Sequence, residues 1–400
     1  MNLAFFFDAS DKDGGILQHQ LKQAEIIKDI LHPKINLNFV VSNKSADQLL
    51  KKKKFDTVFY KQNFLDRFFF ILYSSNFLIF LTKKLGIQNK FEAFFKKKNV
   101  DIIFFPGVSN FSIFCSEINF VTYIHEIYYL VRPDLPEYKG KYNGFDLRDK
   151  ITSFSAKKSM SVIVDTESKK KEVSNYYNCH LDKINVIPLS SNLTEGTLAE
   201  NSSEKTGEKV GRFIKETRNY YFYPAQFWSH KNHVYLLNTL EILRTRYKKD
   251  FSFVFCGHKK NNFRFVEKKI LELGLQKNVI VFDYVNRQEM IDLYKNCSAL
   301  VMPTLIGNIS LPVIEAFYFK TPVFYTKNLL DEKYRPFVNE FDVNDPNSLA
   351  EILVTKNKSF GDEKINQAFK FFNENLSVYK LQEQYKKFLD ILIYKTNIYR

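Results

Sequence analysis

The stretch NYYFYPAQFWSHKNHVYLLNTLEILRTRY, residues 219–247, contains the repeating unit of the fold. Residues 219–225 form a continuous apolar run that stops at a proline and an alanine, and residues 226–232 form a largely polar loop. From residue 233 onward the apolar positions have helical spacing. A continuous apolar strand followed by a helix is typical of a parallel sheet that is covered on both faces. The stretch therefore predicts a strand, a loop at its carboxyl end, and a helix.

The same unit recurs along the 400-residue chain. The apolar runs predict strands at 2–8, 35–42, 100–107, 119–126, 161–166, 183–189, 219–225, 251–257, 278–284, 298–304 and 321–326. The polar segment 190–218 separates two series of strands and is predicted to be a linker. We expect an α/β protein with two doubly wound parallel-sheet (Rossmann-like) domains and long C-terminal helices. The predicted domains are 1–190 and 191–375, with a helix at 376–400 that packs back toward the first domain.

Composition limits the class of protein and its partners. The chain is 45% hydrophobic and 16% aromatic, which excludes a disordered protein. It carries 59 Lys and Arg against 44 Asp and Glu, and this net charge of +15 favours nucleic acid, anionic lipid or a phosphorylated substrate as partner. The four cysteines form no C-x-x-C pair, which argues against a structural zinc site and suits a reducing cytoplasm. No signal peptide is evident before the first strand.

One segment raises the question of a membrane. Residues 64–86, FLDRFFFILYSSNFLIFLTKKLG, are interrupted by polar residues at 74–76 and end in a lysine pair at 83–84. A spanning helix needs about 20 mostly apolar residues without such breaks. Two interpretations remain open: a core helix, or partial immersion in an anionic bilayer surface, which the lysines at 51–54 would also favour.

Polar groups follow several of the predicted strands. Gly14 and Gly15 come after the first strand, and the dipeptide at 125–126, His125 and Glu126, ends another. The segments 226–231 and 304–315 follow two strands of the second series. Ligands of doubly wound sheets bind beyond the carboxyl ends of the strands, so these groups predict one cleft between two domains.

The stretch PTLIGNISLPVIEAFYFKTPVF, residues 303–324, is the most informative of these. Its loop carries Gly307 and Asn308, and a helix follows with a proline in its first turn. The N–H groups of residues 309–311 can bind phosphate, and Glu315 can stay ionised and accept hydrogen bonds from the hydroxyls of a sugar. The alternative is that Glu315 merely complements the helix dipole.

Three patterns for other chemistries are incomplete. The glycine pair at 14–15 lacks the third glycine of a dinucleotide-binding fingerprint, which argues against a nicotinamide-dependent dehydrogenase. The sequence HEIYY at 125–129 has Tyr129 where a zinc protease needs its second histidine. His230 and His233 have a spacing that could hold zinc, but no third ligand lies nearby in the sequence, so we expect them to orient the loop and pack rather than bind metal. We therefore predict that the protein uses no metal and no cofactor.

The stretches YPAQFWSHKNH (223–233) and PTLIGNISLPVIEAF (303–317) together resemble the donor domain of retaining GT-B glycosyltransferases, in glycosyltransferase family four (group 1). The segments FSFVFCG and NVIVFDYVNRQEMIDLYKNCSALVMPT match that domain in order and spacing. YIHEIYYLVRPDLPEY and SVIVDTESKKKEVSNYYNCHLDKINVIPL suit the other half of the family. The resemblance implies the GT-B fold, in which two Rossmann-like domains face each other across a cleft.

The resemblance also implies roles for individual residues. Lys231 matches the lysine that binds the donor's phosphates, Glu315 matches the second glutamate of the E-x7-E motif, which holds the ribose, and His125 matches the histidine near the transferred sugar. His125 and Lys231 are thus the predicted catalytic residues. The predicted donor-binding residues are Gly14, Gly15, Gln226, Lys231, Val285, Gly307, Asn308, Ile309, Ser310, Leu311 and Glu315.

Two positions depart from the family pattern. Gly307 stands where the family usually has the first glutamate of the motif, and Gln226 stands where it usually has an arginine. The contact to the donor sugar and half of the phosphate clamp are therefore altered. The backbone at Gly307 and Asn308 is a candidate replacement for the sugar contact.

The implied function is the transfer of a hexose from a GDP- or UDP-sugar to a glycan or lipid-linked saccharide, with retention, in bacterial surface polysaccharide (including lipopolysaccharide) synthesis. The implied location is the cytoplasm, with peripheral contact to the inner membrane face left open. A GT-B sugar-nucleotide epimerase is one alternative, and a basic nucleic-acid-binding protein is another. Because the lysines are spread over both halves of the chain, we expect no specific nucleic acid partner.

Overall fold

The computed structural model describes residues 1–9, 15–30, 32–62, 66, 89–139, 145–194, 205–217, 219–355 and 361–398. The chain divides into two compact units. The first unit comprises Met1–Ile127, Gly144–Ser190 and Val378–Arg400, and the second comprises Tyr128–Asn143 and Ser191–Ser377. Residues 128–143 therefore cluster with the second unit, whereas the predicted boundary at residue 190 would place them in the first domain. Gly14 and, apart from residue 66, the segment 64–86 lie outside the described residues.

The first unit is built on a parallel sheet, which has seven strands within the described residues. In spatial order these strands are β3-β2-β1-β4-β5-β6-β7, so the order reverses between β1 and β4. The strands are β1 (Asn2–Phe7), β2 (Asn36–Val41), β3 (Thr57–Phe59), β4 (Ile102–Phe105), β5 (Asn119–Tyr123), β6 (Ser161–Val164) and β7 (Ile184–Val186).

The second unit contains a parallel sheet of six described strands in the order β10-β9-β8-β11-β12-β13. Here the order reverses between β8 and β11, in the middle of the sheet. The strands are β8 (Tyr220–Pro224), β9 (Ser252–Cys256), β10 (Val279–Phe282), β11 (Ala299–Met302), β12 (Val323–Thr326) and β13 (Asn339–Phe341). The prediction of two doubly wound parallel sheets is confirmed.

Helices connect and cover these strands. In chain order they are α1 (Gly15–Asp29), α2 (Lys44–Lys52), α3 (Lys90–Lys97), α4 (Tyr128–Val131), α5 (Phe145–Lys158), α6 (Glu167–Tyr177), α7 (Glu208–Glu216), α8 (His233–Thr245), α9 (Phe263–Glu272), α10 (Arg287–Asn296), α11 (Leu311–Tyr318), α12 (Pro346–Thr355), α13 (Asp362–Asn375) and α14 (Val378–Ile398). Across the described part of the chain, no helix is both long and apolar enough to cross a bilayer.

The apolar run of β1 reflects burial on both faces of the sheet. Phe5 and Phe7 point into one core cluster together with residues of α1 and α14. Phe6 points into the opposite cluster, where it packs against Phe91 of α3 at a ring distance of 5.2 Å. Successive side chains of a strand point to opposite faces, so a strand that is buried on both sides must be apolar at every position.

The C-terminal helix α14 belongs to the first unit. Phe388 packs 6.4 Å from Phe104 of β4, measured between ring centroids. The Nε2 group of Gln23 on α1 donates a hydrogen bond to the Tyr385 hydroxyl at 2.7 Å. The chain therefore returns to the first unit after completing the second.

Several elements went unrecognised in the sequence. The edge strands β3 (TVF) and β13 (NEF) have three residues each, which is too short for a periodic signal. Residues 208–216 of the predicted linker form α7, in which Val210 is buried. The few apolar residues of this segment stand among polar ones. The segment therefore resembles a polar loop when the element against which it packs is not known.

Gly257, directly after β9, allows two chain segments to approach closely. A Cβ atom on Gly257 would lie 2.5 Å from the carbonyl oxygen of Ala225, and the residue has φ +159°. Backbone atoms cannot rotate away as a flexible side chain can. Glycine at this position therefore fixes the loop that follows β8 beside the loop that follows β9.

We predict that Gly257→Ala lowers the free energy of unfolding by about 1–3 kcal/mol, because the added methyl group overlaps backbone atoms. The control is Gly211→Ala in α7, where the nearest atom to a new Cβ is 3.7 Å away. That variant should be neutral or stabilising by roughly 0.5–1 kcal/mol, since alanine favours helix. Denaturant unfolding of both variants measures the difference, and equal stability of the two would contradict the packing argument.

Candidate functional site

The carboxyl ends of β8 and β11 lie side by side in the second sheet, and the predicted donor-binding residues of this unit follow β8, β10 and β11. The Leu305 N–H group, after β11, donates a hydrogen bond to the His230 carbonyl oxygen, after β8, at 2.8 Å. This bond joins the two loops. It brings Lys231 and the start of α11 to one edge of the sheet.

The loop after β8 is held by a buried carboxylate. Glu137 Oε1 accepts hydrogen bonds from the His230 backbone N–H at 2.7 Å and from His230 Nδ1 at 3.0 Å. Burial alone would raise the pKa of Glu137, but these hydrogen bonds lower it below its usual value. The short 3-10 helix Ser229–Lys231 is thus fixed, and it holds the half-buried Lys231 at the carboxyl edge of the sheet.

His233, the first residue of α8, is a packing residue. Its ring stacks on Phe227 at 4.4 Å and meets Phe255 edge-on at 5.1 Å. Burial, together with the charge of Lys231, lowers the pKa of His233 to about 3. The side chain is therefore a neutral aromatic group at physiological pH, which agrees with the sequence interpretation that it packs rather than binds metal.

Gly307 gives the loop after β11 a conformation that other residues rarely adopt. Its φ is +126°, and a Cβ atom there would lie 3.2 Å from the Tyr325 hydroxyl. That hydroxyl donates a hydrogen bond to the Gly307 carbonyl oxygen at 3.0 Å. The next residue, Asn308, donates its backbone N–H to the Tyr128 hydroxyl at 3.1 Å. Two tyrosines therefore fix the backbone of residues 307 and 308. Residue 307 is the position at which the family that the sequence resembles usually has a glutamate.

The helix α11 begins directly after this loop. Ser310 is its N-cap residue, with extended backbone, and the side chain of Ile309 is buried. The first N–H groups of a helix have no partner within the helix, and they lie at the positive end of its dipole. The backbone of residues 309–311 can therefore take part in binding an anion beside the loop that carries Lys231.

Glu315 is buried one turn into α11, with 7% of its surface exposed. The Ser191 hydroxyl donates to one carboxylate oxygen at 2.6 Å, and the Tyr294 hydroxyl donates to the other at 2.7 Å. Burial raises the pKa of Glu315, and these two hydrogen bonds oppose the rise. The helix dipole favours the ionised carboxylate that the sequence predicts, but burial opposes ionisation and leaves the pKa of Glu315 above its usual value. A ligand hydroxyl that reaches Glu315 must join or replace one of these donors.

Two further predicted donor-binding residues occupy the same edge. Gln226 follows β8, and its Oε1 accepts a hydrogen bond from Trp228 Nε1 at 3.0 Å. Val285 follows β10 and is buried, so a ligand would contact its backbone rather than its side chain. Asn286 and Glu289 then form a capping box at the start of α10.

The first unit has a pocket of about 360 Å³ at the point where its strand order reverses. His125 lies there, two residues beyond β5. Gly15 is the first residue of α1, the helix that also carries the pocket residue Gln20. The described residues that line the pocket are Asp8, Ala9, Gln20, Gly107, Val108, Asn110, His125, Glu126, Leu147, Arg148, Ile151 and Thr152.

His125 is held as a neutral ring. Its Nε2 lies 3.0 Å from the Pro106 carbonyl oxygen and must carry the proton to donate there, and the ring stacks on Tyr123 at 4.3 Å. The buried Lys169 on α6 donates to the His125 carbonyl oxygen at 3.0 Å. Burial lowers the pKa of His125 to about 4, with the charge of Lys169 acting in the same direction.

Sequence reasoning missed the hydroxyl groups that organise the second unit. Tyr128, Ser191, Tyr294 and Tyr325 each bond to a predicted site residue. The partners are separated by between 18 and 180 positions in the chain, so no local spacing links them. Over the residues that the structure describes, no group of three or more His, Cys, Asp or Glu could hold a metal ion. Metal independence stays a prediction.

Comparison with known proteins gives a family match in the second unit. Residues 204–332 match the family model for glycosyl transferases group 1. This segment includes Lys231, Gly307 and Glu315 and excludes His125.

Two curated relatives are similar to parts of the chain. The capsular polysaccharide biosynthesis glycosyltransferase CapH of Staphylococcus aureus is 24% identical over 246 residues, which covers 59% of this chain and 62% of CapH. The O-antigen chain mannosyltransferase RfbU of Salmonella typhimurium is 25% identical over 175 residues, covering 43% and 44%. The chain thus spans less than two thirds of the length of either relative.

Several solved structures share the fold over nearly the whole chain. A glycosyltransferase from Rickettsia africae has a TM-score of 0.68 at 18% identity and covers 98% of this chain and 97% of its own. Anabaena HepE in complex with UDP-glucose has a TM-score of 0.70 at 13% identity, covering 98% and 99%. WaaG, involved in lipopolysaccharide biosynthesis, has a TM-score of 0.64 at 14% identity, covering 96% and 98%. The fold is that of the GT-B structures, and the family match supports a glycosyltransferase enzyme.

The pKa of His233 predicts a pH-dependent stability. Because the folded-state pKa of about 3 lies below the unfolded value of about 6.5, the unfolded state binds the proton first and stability falls as pH drops below 6.5. We expect this residue to cost about 2 kcal/mol between pH 7 and pH 5. His233→Phe should reduce the loss between these pH values by that amount, measured by urea unfolding. The exposed His180→Ala serves as control, and an unchanged pH dependence in His233→Phe would contradict the assignment.

Proposed function

We propose that the protein is a glycosyltransferase that moves a hexose from a GDP- or UDP-sugar to a glycan or lipid-linked saccharide, with retention at the anomeric carbon. The observation that carries this proposal is the hydrogen-bonded pair of loops at the carboxyl edge of the second sheet. One loop presents Lys231, and the other leads through Gly307 into the N-terminus of α11. A cation beside the positive end of a helix suits a diphosphate.

In a transfer from a nucleotide sugar, negative charge develops on the departing diphosphate. Groups that are already in place before the reaction stabilise that charge without reorganising. Lys231 sits in a loop that Glu137 and Leu305 fix, and tyrosine hydroxyls fix the backbone around Gly307. Lys231 is therefore our candidate catalytic cation. Because these groups can neutralise the phosphates, we propose that the reaction needs neither a divalent metal nor a cofactor.

The nucleoside would lie near Glu315, whose carboxylate can accept hydrogen bonds from ribose hydroxyls. The Anabaena HepE structure holds UDP-glucose, which supports a nucleotide-sugar donor for this fold. At neutral pH the His125 ring is uncharged, and with Nε2–H bonded to Pro106 its Nδ1 can accept a hydrogen bond from a substrate hydroxyl. We assign His125 to the transferred sugar.

The similarity to CapH and RfbU supports a role in bacterial surface polysaccharide synthesis, capsular or lipopolysaccharide. A GT-B epimerase is the nearest alternative, because it would use the same nucleotide site. Turnover of a nucleotide sugar without any saccharide acceptor would favour the epimerase.

We also propose that the protein works in the cytoplasm and contacts the inner membrane face through the first unit. On α14 the exposed side chains Lys387, Ile391, Tyr394 and Ile398 follow one another at intervals of three or four residues, which puts a lysine, a tyrosine and two aliphatic groups on one face. Such a face suits the surface of an anionic bilayer. Of the lysines at 51–54, Lys51 and Lys53 are already paired with Asp47 and Glu25.

Co-sedimentation with anionic vesicles measures this contact. We expect binding at low salt that is lost at high salt, since each lysine near such a surface contributes about 1 kcal/mol. Replacing Ile391 and Tyr394 by Ser should weaken it. Absence of binding at low salt would contradict membrane contact.

The direct test of the proposed function is a thermal-stability screen of UDP, GDP and their sugars. A ligand that binds the folded state alone at 100 times its Kd stabilises it by about 2.7 kcal/mol, which should raise Tm by roughly 5 °C. One donor should stand out, and transfer from it should persist in EDTA. A screen in which no nucleotide or nucleotide sugar stabilises the protein would contradict the proposal.

Lys231→Ala tests the catalytic cation. With the donor that the screen identifies, we expect turnover to fall by about 10²- to 10³-fold, because one preorganised charge is lost, while Tm hardly changes. The matched control is Lys277→Ala, an exposed lysine of the same unit that precedes β10 and therefore lies at the opposite edge of the sheet. Wild-type turnover in a folded Lys231→Ala variant would remove this residue from the mechanism.

A further inference from the structure

A glutamine that lines the pocket of the first unit has a buried side-chain oxygen without a partner among the described residues. Gln20 on α1 has 3% of its surface exposed and lines the pocket. Among the described residues, its Oε1 has no hydrogen-bond partner. Buried side-chain acceptors are nearly always hydrogen-bonded, so an unpaired one that lines a pocket indicates a donor supplied by a ligand.

The neighbouring glycine makes room for this amide. Gly107 follows β4, and a Cβ atom on it would lie 3.0 Å from Gln20 Nε2 and 3.8 Å from the His125 ring. A side chain at residue 107 would force the Gln20 amide to shift by a few tenths of an ångström. Glycine at this position therefore leaves room for the amide beside His125.

An unpaired oxygen alone would not define a site. Gln23, one turn later on α1, is also buried with an unpartnered Oε1 among the described residues, yet it is not among the residues that line the pocket. Its Nε2 donates to Tyr385, which places it in the packing of α1 on α14. The position of Gln20 in the pocket distinguishes the two glutamines.

The charges around the pocket indicate what kind of ligand fits. Glu126 and Arg148 both line it and form an ion pair with each other, and Asp8 adds a further carboxylate. His125 is neutral at pH 7. Among the described residues that line the pocket, the two acids outnumber the one base, which disfavours phosphate or carboxylate there. Apolar surface from Leu147 and the buried Ile151 completes the lining.

From this geometry we infer that the pocket binds an uncharged sugar ring and that Gln20 is a specificity-determining residue whose Oε1 accepts a hydrogen bond from a ring hydroxyl. A sugar ring offers hydroxyl donors for Gln20 and C–H surface for the apolar lining. The pocket volume of about 360 Å³ lies at the low end of the range for small-ligand sites, which suits a single ring. The inference rests on the proposed function and leaves two sources for the ring: the hexose of the donor, or a sugar unit of the acceptor.

Gln20→Met tests the inference, because methionine keeps the length of the side chain and removes the acceptor. The probes are UDP, UDP-glucose, GDP, GDP-mannose, the methyl glycosides of glucose, galactose and mannose, and methyl glucuronide as the charged counterpart. Binding of nucleotides is followed by calorimetry, and binding of glycosides by saturation-transfer NMR in the presence of UDP or GDP. The matched control is Gln23→Met, and Gly107→Ala is a second variant that displaces the Gln20 amide without changing it.

We expect Gln20→Met and Gly107→Ala to weaken sugar binding by about tenfold and to leave UDP and GDP binding unchanged, whereas Gln23→Met changes neither. A loss confined to a nucleotide sugar assigns the ring to the donor, and a loss confined to a methyl glycoside assigns it to the acceptor. Methyl glucuronide should bind the wild type at least tenfold more weakly than methyl glucoside.

The possible failures differ from one another. Full sugar binding by a folded Gln20→Met variant, beside a wild type that binds nucleotide sugars, would overturn this inference and leave the proposed function intact. Preference for the glucuronide would overturn the uncharged ligand class. A wild type that binds none of the probes would contradict the inference and the proposed function together.

Discussion

The hydrogen bond from Leu305 N–H to the His230 carbonyl oxygen is the interaction on which the candidate donor site depends. A parallel sheet places the loops after β8 and β11 side by side, but it does not fix how far each loop extends from the sheet or which way its backbone turns. This bond and the two hydrogen bonds that His230 donates to Glu137 do so. Lys231 and the N-terminus of α11 thereby share one edge of the sheet before any ligand arrives, which is what electrostatic stabilisation requires.

Tyrosine hydroxyl groups fix several residues of the candidate site. Tyr325 holds Gly307, Tyr128 holds Asn308, and Tyr294 holds Glu315, in each case through a hydroxyl at the end of a large apolar ring. Burial raises the pKa of Tyr325 and Tyr294 well above the usual value, so both stay protonated donors. A chain rich in aromatic residues can thus fill its core and still direct hydrogen bonds at the site.

Much of the fold could be predicted from the sequence, because strands buried on both faces must be continuously apolar, as in β1 and β8. The loops that follow β8 and β11 could be found for the same reason, since polar residues after such strands lie at the ligand edge. Other features depend on contacts between distant residues. Ser191 and Tyr294, which donate hydrogen bonds to Glu315, come from elsewhere in the chain. The raised pKa of Glu315 follows from burial, which no local sequence pattern reveals. The unpaired Oε1 of Gln20 is likewise visible only in the folded chain.

We propose that a nucleotide sugar binds at the carboxyl edge of the second sheet. Amide hydrogen exchange with and without the stabilising donor locates the binding surface, because bound ligand slows exchange where it covers or orders the backbone. We predict protection of residues 225–232 and 303–311, with the turn at 274–278, at the opposite edge of the same sheet, unchanged. Protection that spares both loops while the donor is bound would contradict the account.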